Sequence, residues 1–229
     1  MTRLAVVIGA GGGLGEALSA ALLARGDHDR VIRLSRRTDP PVDFTDLASV
    51  ERAASWLSRQ AGDIRLVIDA TGFLHDDRFS PERSLRDLDP EHMERAFLIN
   101  AIGPAMLMKH VLPLLPRDGR CVFATLSARV GSISDNRLGG WHSYRASKAA
   151  LNQLVRGAAI ELGRRHRHAI CVALHPGTVD TPLSRPFSKS GLEVRPPSKA
   201  AAEVLAVIEG LTEADSGGFF DHKGEPIAF

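Results

Sequence analysis

The stretch VVIGAGGGLGEAL places Gly9, Gly13 and Gly15 between a β-branched run and a segment of helical period. Glycine at such a junction permits a tight turn and close approach of backbone to a pyrophosphate. It also leaves the first N–H groups of the helix facing an anion. A merely permissive turn would use the same residues, so position carries the argument. This is the first strand–helix junction of the chain, the place where such a loop cradles a dinucleotide.

The rest of the sequence must supply a sheet for that turn, and it does. Short β-branched runs alternate with longer helical segments, the pattern of a parallel sheet covered on both faces. Strands are expected at RLAVVIG, RVIRLS, RLVIDA, RCVFATL, AICVALH and near GFFD. Helices are expected from Gly13 to Arg25, Leu47 to Gln60, about Pro90 to Leu112, about Ser143 to Gly163, and Ser198 to Leu211. Asp46 is the expected N-cap of the second helix. Asp89, Pro90 and Glu91 supply a cap, a first-turn proline and an acid for the third. The expectation is an α/β fold, a doubly wound parallel sheet forming a single domain over residues 1–229. His75 to Asp89 and Thr181 to Pro197 are its two long loops, natural walls for a site beyond the carboxyl ends of the strands.

Composition narrows the function classes. The net charge of +2 argues neither for nor against an anionic partner. The basic run RRHRH (Arg164 to His168) follows a helix, where cations suit the negative dipole end, so no nucleic-acid partner is expected. Cys121 and Cys171 lie in apolar runs and read as buried thiols of a reducing compartment. The apolar run Leu4 to Ile8 is too short for a signal peptide, and no stretch is expected to span a membrane. A cytoplasmic protein is expected.

Counting about twenty residues from Gly15, where an NAD site usually has an acid for the ribose 2′-hydroxyl, reaches Ser35, Arg36 and Arg37. No carboxylate lies between Val31 and Thr38. Two guanidiniums there suit a 2′-phosphate, so NADP(H) is favoured over NAD(H). A solvated basic loop is the alternative.

WHSYRASKAALN holds the chain's one tyrosine. Tyr144 and Lys148, at i and i+4, share a helix face. A phenol of reference pKa about 10 is a poor acid–base group near neutrality, and an adjacent ammonium would lower it. The same lysine could hold a nicotinamide ribose.

In this order the motifs resemble the short-chain dehydrogenase/reductase family over nearly the whole chain. The glycine motif matches Gly9, Gly13, Leu14 and Gly15, and the adenine-contacting acid matches Asp43. The post-strand turn matches Asp69, Ala70, Thr71 and Gly72, without the family's asparagines. The site asparagine matches Asn100, Y-x-x-x-K matches Tyr144 and Lys148, and the later turn matches Pro176, Gly177 and Thr181. The resemblance implies a Rossmann-type fold, hydride transfer to or from a nicotinamide, and a homodimer or homotetramer. Within the family the chain looks most like C-factor-like proteins and small carbonyl reductases.

Two departures stand out. The segment between strand two and Asp43 is too short for the helix and strand the family usually has, so a short sheet edge and an open adenine side are expected. The S-S-x-x-G pattern reads Ser127, Ala128, Arg129, Val130, Gly131, with alanine at the second serine; Ser127 is the expected substitute, and Ser132 and Ser134 are the other candidates. The implied activity interconverts a small-molecule carbonyl and an alcohol. Tyr144 would pass the proton, Lys148 lower its pKa, Ser127 polarise the carbonyl and Asn100 support a water relay. The alternative is a C-factor-like signalling protein that binds NAD(P) with little turnover.

Overall fold

Five of the six residues in Arg3–Ile8 (β1) are buried, which requires a strand covered on both faces. The computed structural model describes residues 2–187 and 193–229 and sets β1 in a six-stranded parallel sheet. Its other strands are Arg30–Leu34 (β2), Asp63–Asp69 (β3), Cys121–Leu126 (β4), Ala169–His175 (β5) and Phe219–Asp221 (β8). Thr178–Val179 (β6) and Val194–Arg195 (β7) form a separate two-stranded ribbon. The sheet order is β2-β1-β3-β4-β5-β8. The winding therefore reverses between β1 and β3, and a doubly wound sheet opens its ligand crevice at that point.

Gly13–Arg25 (α1) and Pro197–Gly210 (α6) cover one face, packing Leu18 and Leu22 with Val204, Leu205 and Ile208. Leu47–Leu57 (α2), Pro90–Phe97 (α3), Gly103–Val111 (α4) and His142–Gly163 (α5) cover the other around Phe123, Leu151 and Phe219. The expected strands and helices are all present, within a few residues at their ends. The second helix stops at Leu57, three residues early, and tightens there as Gln60 N–H bonds the Leu57 carbonyl at 3.0 Å. Asp46 does not cap it; its carboxyl accepts from Arg52 at 2.6 Å instead.

The expected third helix divides at a π-type turn, Leu98–Ile102. Pro104 explains the break, because it has no N–H for the Asn100 carbonyl and its ring crowds that position. The helical run Pro90–Leu114 also corrects the expectation that no stretch reaches membrane-spanning length: by length and composition it does. Its apolarity has a local cause, since Ala96, Leu107, Met108 and Val111 are buried against the rest of the protein.

After β2 the chain folds back at once. Ser35 N–H donates to the Thr38 hydroxyl and the Ser35 carbonyl accepts Val42 N–H, both at 2.9 Å. Val42 and Phe44 then plug the core where a further helix and strand were expected to be missing, and β2 ends the sheet as its edge. Phe44 lies so close to Gly103 that any Cβ there would overlap its ring. Gly103→Ala should therefore cost about 1–3 kcal/mol by overpacking. Gly157→Ala, on a part of α5 with open space around it, should stabilise by about 0.5–1 kcal/mol. Urea unfolding of the two variants checks this; equal midpoints would contradict it.

Candidate active site

The turn after β1 and the turn after β3 face each other across the switch point and enclose a cavity of about 420 Å³. Gly9, Gly11 and Gly12 form one wall, and Ala70, Thr71, Gly72 and Phe73 another. Gly9 has φ 78, and a Cβ on it would lie 2.9 Å from the Ala70 carbonyl carbon, so only glycine fits this approach. Gly15 sits under the Gly9 carbonyl, and Gly13 faces the Thr181 methyl, where a Cβ would come within 2.9 Å. These contacts clear the N-terminus of α1 for an anion. Leu14, between them, packs into the core beside α1's other apolar residues and does not line the cavity.

The far end of the cavity is basic. Arg36 and Arg37 are exposed on its rim, and neither guanidinium makes a hydrogen bond among the described residues. Asp43 shares this end. Its carboxyl accepts from Thr45 N–H at 2.9 Å and the Thr45 hydroxyl at 2.8 Å. The Thr45 backbone bond, with help from the hydroxyl and Arg36, holds it below the usual carboxylate range.

Asn100 sits at the π-type turn, fully buried. Its amide accepts from Phe73 N–H and donates to the Phe73 carbonyl, both at 2.8 Å, and donates to the Ser147 hydroxyl at 3.0 Å. Gly72 is thereby held beside both Asn100 Oδ1 and Lys148 Nζ; a Cβ on it would lie 3.9 Å from each. Lys148 Nζ donates to the Leu126 carbonyl at 2.8 Å. Burial lowers its pKa to about 8, with Asp69 pulling the other way. Asp69, at the end of β3, is itself buried and held by Thr71 and by Thr125 at 2.8 Å. Burial pushes its carboxyl up.

Tyr144 stands on the same helix face as Lys148, one turn earlier. The expected lowering of its pKa is not what this arrangement produces: burial of the ring pushes it up to about 12. Lys148 donates a hydrogen bond to a backbone carbonyl, and desolvation is the one influence acting on the phenol.

The candidate serines each have a partner within the protein. Ser127 is buried and donates its hydroxyl to Asn152 Oδ1 at 2.7 Å. Asn152 is eight residues beyond Tyr144 on α5, roughly 12 Å along the axis. The Ser127 hydroxyl is therefore bonded to the middle of α5. Ser132 accepts Asp135 N–H at 3.2 Å, and Ser134 donates to the Phe229 carbonyl at 2.9 Å. All three candidate hydroxyls are engaged in holding their own surroundings. Gly177, after Pro176, has φ 77 and adjoins Arg195 and His222, away from the cavity wall.

Several residues around the site carried no signal in the sequence. Phe44, Phe73, His75, Arg95 and Leu183 line the cavity. Trp141 lies edge-on to Tyr144 with ring centres 6.1 Å apart. Only the positions of His75 and Leu183, in the two loops expected to wall the site, hinted at their role.

Comparison with known proteins identifies the family. A family model described as enoyl-(acyl carrier protein) reductase matches residues 19–208. A 1-hydroxy-2-glutathionyl-2-methyl-3-butene dehydrogenase of a Rhodococcus species is 31% identical over 228 residues, covering 96% of each chain. The chain belongs to the short-chain dehydrogenase/reductase family. This family consists of NAD(P)-dependent oxidoreductases. Another of its members, the C-signal protein of Myxococcus xanthus, is 37% identical over 144 residues, 63% of this chain and 82% of that one. The NADPH-bound carbonyl reductase from chicken fatty liver superposes with a TM-score of 0.86 at 26% identity, covering 100% of this chain and 99% of that one.

In this dehydrogenase/reductase, Ser127→Ala removes the one hydrogen bond that the Asn152 side chain makes among the described residues, where its Nδ2 is already unpaired. The expected loss is about 1–3 kcal/mol of stability, with turnover per folded molecule within about threefold of the parent. That is far from the hundredfold typical of losing a catalytic hydrogen-bond donor. Thermal unfolding and steady-state rates on one preparation separate the two outcomes.

Proposed function

We propose that the chain is an NADP(H)-dependent oxidoreductase that reduces a small-molecule carbonyl to an alcohol, with Tyr144 as the proton donor. The observation that carries this reading is the placement of Tyr144 and Lys148 on one face of α5, with the Lys148 ammonium against Gly72 on the wall of the glycine cavity. The residues fit a dinucleotide. The Gly9–Gly15 cradle leaves space that a side chain would fill, and the cavity is long enough to reach Arg36 and Arg37. When bound, the nicotinamide supplies the hydride.

The protein's residues do the rest. Backbone N–H groups at the start of α1 bind the pyrophosphate. Asp43 meets the adenine, while Ala70, Thr71 and Gly72 pack along the cofactor. Lys148 holds the nicotinamide ribose, and Asn100 fixes the Gly72–Phe73 backbone that shapes this part of the cavity. Thr181 packs its methyl against Gly13 and so supports the glycine turn. The Tyr144 phenol hydrogen-bonds the carbonyl oxygen and gives it a proton as the alcohol forms. A phenol held near 12 stays protonated at neutral pH, which favours reduction over alcohol oxidation. With Ala128 at the second serine position, Tyr144 polarises the carbonyl without a serine partner.

Tyr144→Phe should abolish turnover and leave NADPH affinity within about twofold, because only the hydroxyl is lost. In the parent, kcat/KM for NADPH reports the free enzyme. It should stay level below about pH 8 and fall above it, as Lys148, poised at about 8, loses its charge. A Tyr144→Phe protein reducing carbonyls at the parent rate, or a fall on the acid side of neutrality, contradicts the mechanism.

The NADP(H) preference rests on Arg36 and Arg37, and the NADPH-bound chicken relative supports it. Charge-assisted bonds to a phosphate are worth about 1.5–3 kcal/mol each. Both arginines are exposed and screened, so the expected preference over NADH is about tenfold to a hundredfold, shrinking as salt rises. Replacing both with alanine should weaken NADPH binding and leave NADH binding nearly unchanged. Titration of each cofactor at low and high salt measures this, and equal parent affinities would refute it.

The likeness to the C-signal protein, together with the missing second serine, favours a second reading: a signalling protein that binds the dinucleotide with little turnover. NADPH binding without oxidation across a panel of aldehydes, ketones and α-dicarbonyls would favour it.

A further inference from the structure

Tyr144 lies in the first turn of α5, yet α5 does not hold its own N-terminus. Its N-cap residue, Trp141, makes no side-chain cap. The bonds come instead from the loop after β3. The Glu82 carboxyl group accepts Ser143 N–H at 3.3 and 3.2 Å through its two oxygens, and also accepts the Ser143 hydroxyl. The Glu82 backbone carbonyl accepts Trp141 N–H at 2.6 Å. Glu82 is only 2% exposed, with His92 Nδ1 3.4 Å from its carboxyl. His92 stacks on Phe79 at 5.1 Å and meets Phe73 edge-on at 5.9 Å. Glu82 is thus tied to the same Phe73 that Asn100 clamps.

The segment held this way is strained. Gly139, Gly140 and Trp141 have φ of 62, 64 and 51 in succession, and Trp141 is the one non-glycine with positive φ among the described residues. A bulky residue keeps that conformation only where its surroundings over-determine it. Here the outcome is a placed ring. The indole stands edge-on to Tyr144 at 6.1 Å and to Phe187 at 5.4 Å, and Phe187 in turn meets His75 at 5.1 Å.

We propose that Glu82 is a positioning residue for the proton transfer: by bonding both Trp141 and Ser143 it holds the left-handed turn that seats the indole against Tyr144 and aims the phenol. The proposal rests on the reading of Tyr144 as proton donor. A buried carboxyl group that only capped a helix would affect stability alone. A helix N-terminus is a favourable place for such a group, but capping needs neither the strained tryptophan nor the second bond from the Glu82 carbonyl.

The test uses the full chain with Trp56→Phe as background, so that Trp141 is the sole indole. Rates are measured with NADPH and 4-nitrobenzaldehyde at a temperature where every protein is folded. Glu82→Ala should lower kcat about tenfold to a hundredfold, as misplacement of a reacting group does. NADPH affinity should stay within about twofold, and Trp141 emission should move to the red as the ring leaves its seat. Glu82→Gln keeps one acceptor oxygen and should fall between Ala and parent on both readouts, so it serves as the deciding variant if the alanine protein does not fold. A lowered melting temperature with parental kcat and parental emission overturns the proposal. If the background protein itself does not reduce the aldehyde, the assigned activity fails for this probe. The emission of the Glu82 variants then decides the seating alone: an unchanged spectrum overturns it and a red shift supports it.

Discussion

The site depends on a single buried amide. Asn100, on the widened turn between α3 and α4, reaches the backbone of Phe73 from both sides and the hydroxyl of Ser147 on α5. It joins three elements: the turn after β3, the broken helix and the helix carrying Tyr144. In a low-dielectric interior such bonds are strong when complete, and each orphaned partner is costly. The Gly72 wall, the Lys148 ammonium and the first turn of α5 therefore keep one mutual geometry. The broken helix is what makes this possible, because Pro104 denies the Asn100 carbonyl its usual helical partner and the chain widens there.

Charge in the interior follows a related economy. Asp69 lies fully buried beneath the Lys148 region, with both Thr71 and Thr125 donating to it. Burial favours the neutral form of each group, while their mutual attraction favours the charged forms. Lys148 ends near 8 because desolvation outweighs the attraction. Tyr144, lacking any such partner, is driven upward by desolvation alone.

What the sequence disclosed was whatever local geometry controls. Gly9 and Gly15 were legible because backbone sterics demand glycine there, and Tyr144 with Lys148 because helical spacing puts them on one face. The short edge after β2 could be counted from residue numbers. What escaped was set by partners distant in the chain. Ser127 sits where its motif predicts, but Asn152 decides the direction of its hydroxyl. Leu14 belongs to the glycine motif, yet its side chain faces the core. Nothing in SPERS marks Glu82 as buried, because its burial comes from α5 and His92 folding over it.

The abbreviated chain after β2 has one more effect. Since no further strand among the described residues pairs with it, β2 presents a row of backbone N–H and C=O groups along its outer side. Such a row is a template for strand addition and hence for aggregation. The strand is only five residues long, and both Arg30 and Arg33 are exposed on it. Shortness and like charge discourage a second copy from pairing there. Arginines on the outer side of this strand thus also protect its flank, so neutralising Arg30 would trade solubility for nothing at the active site, whereas Arg33 also donates to the Ala10 carbonyl of the glycine turn at 3.5 Å.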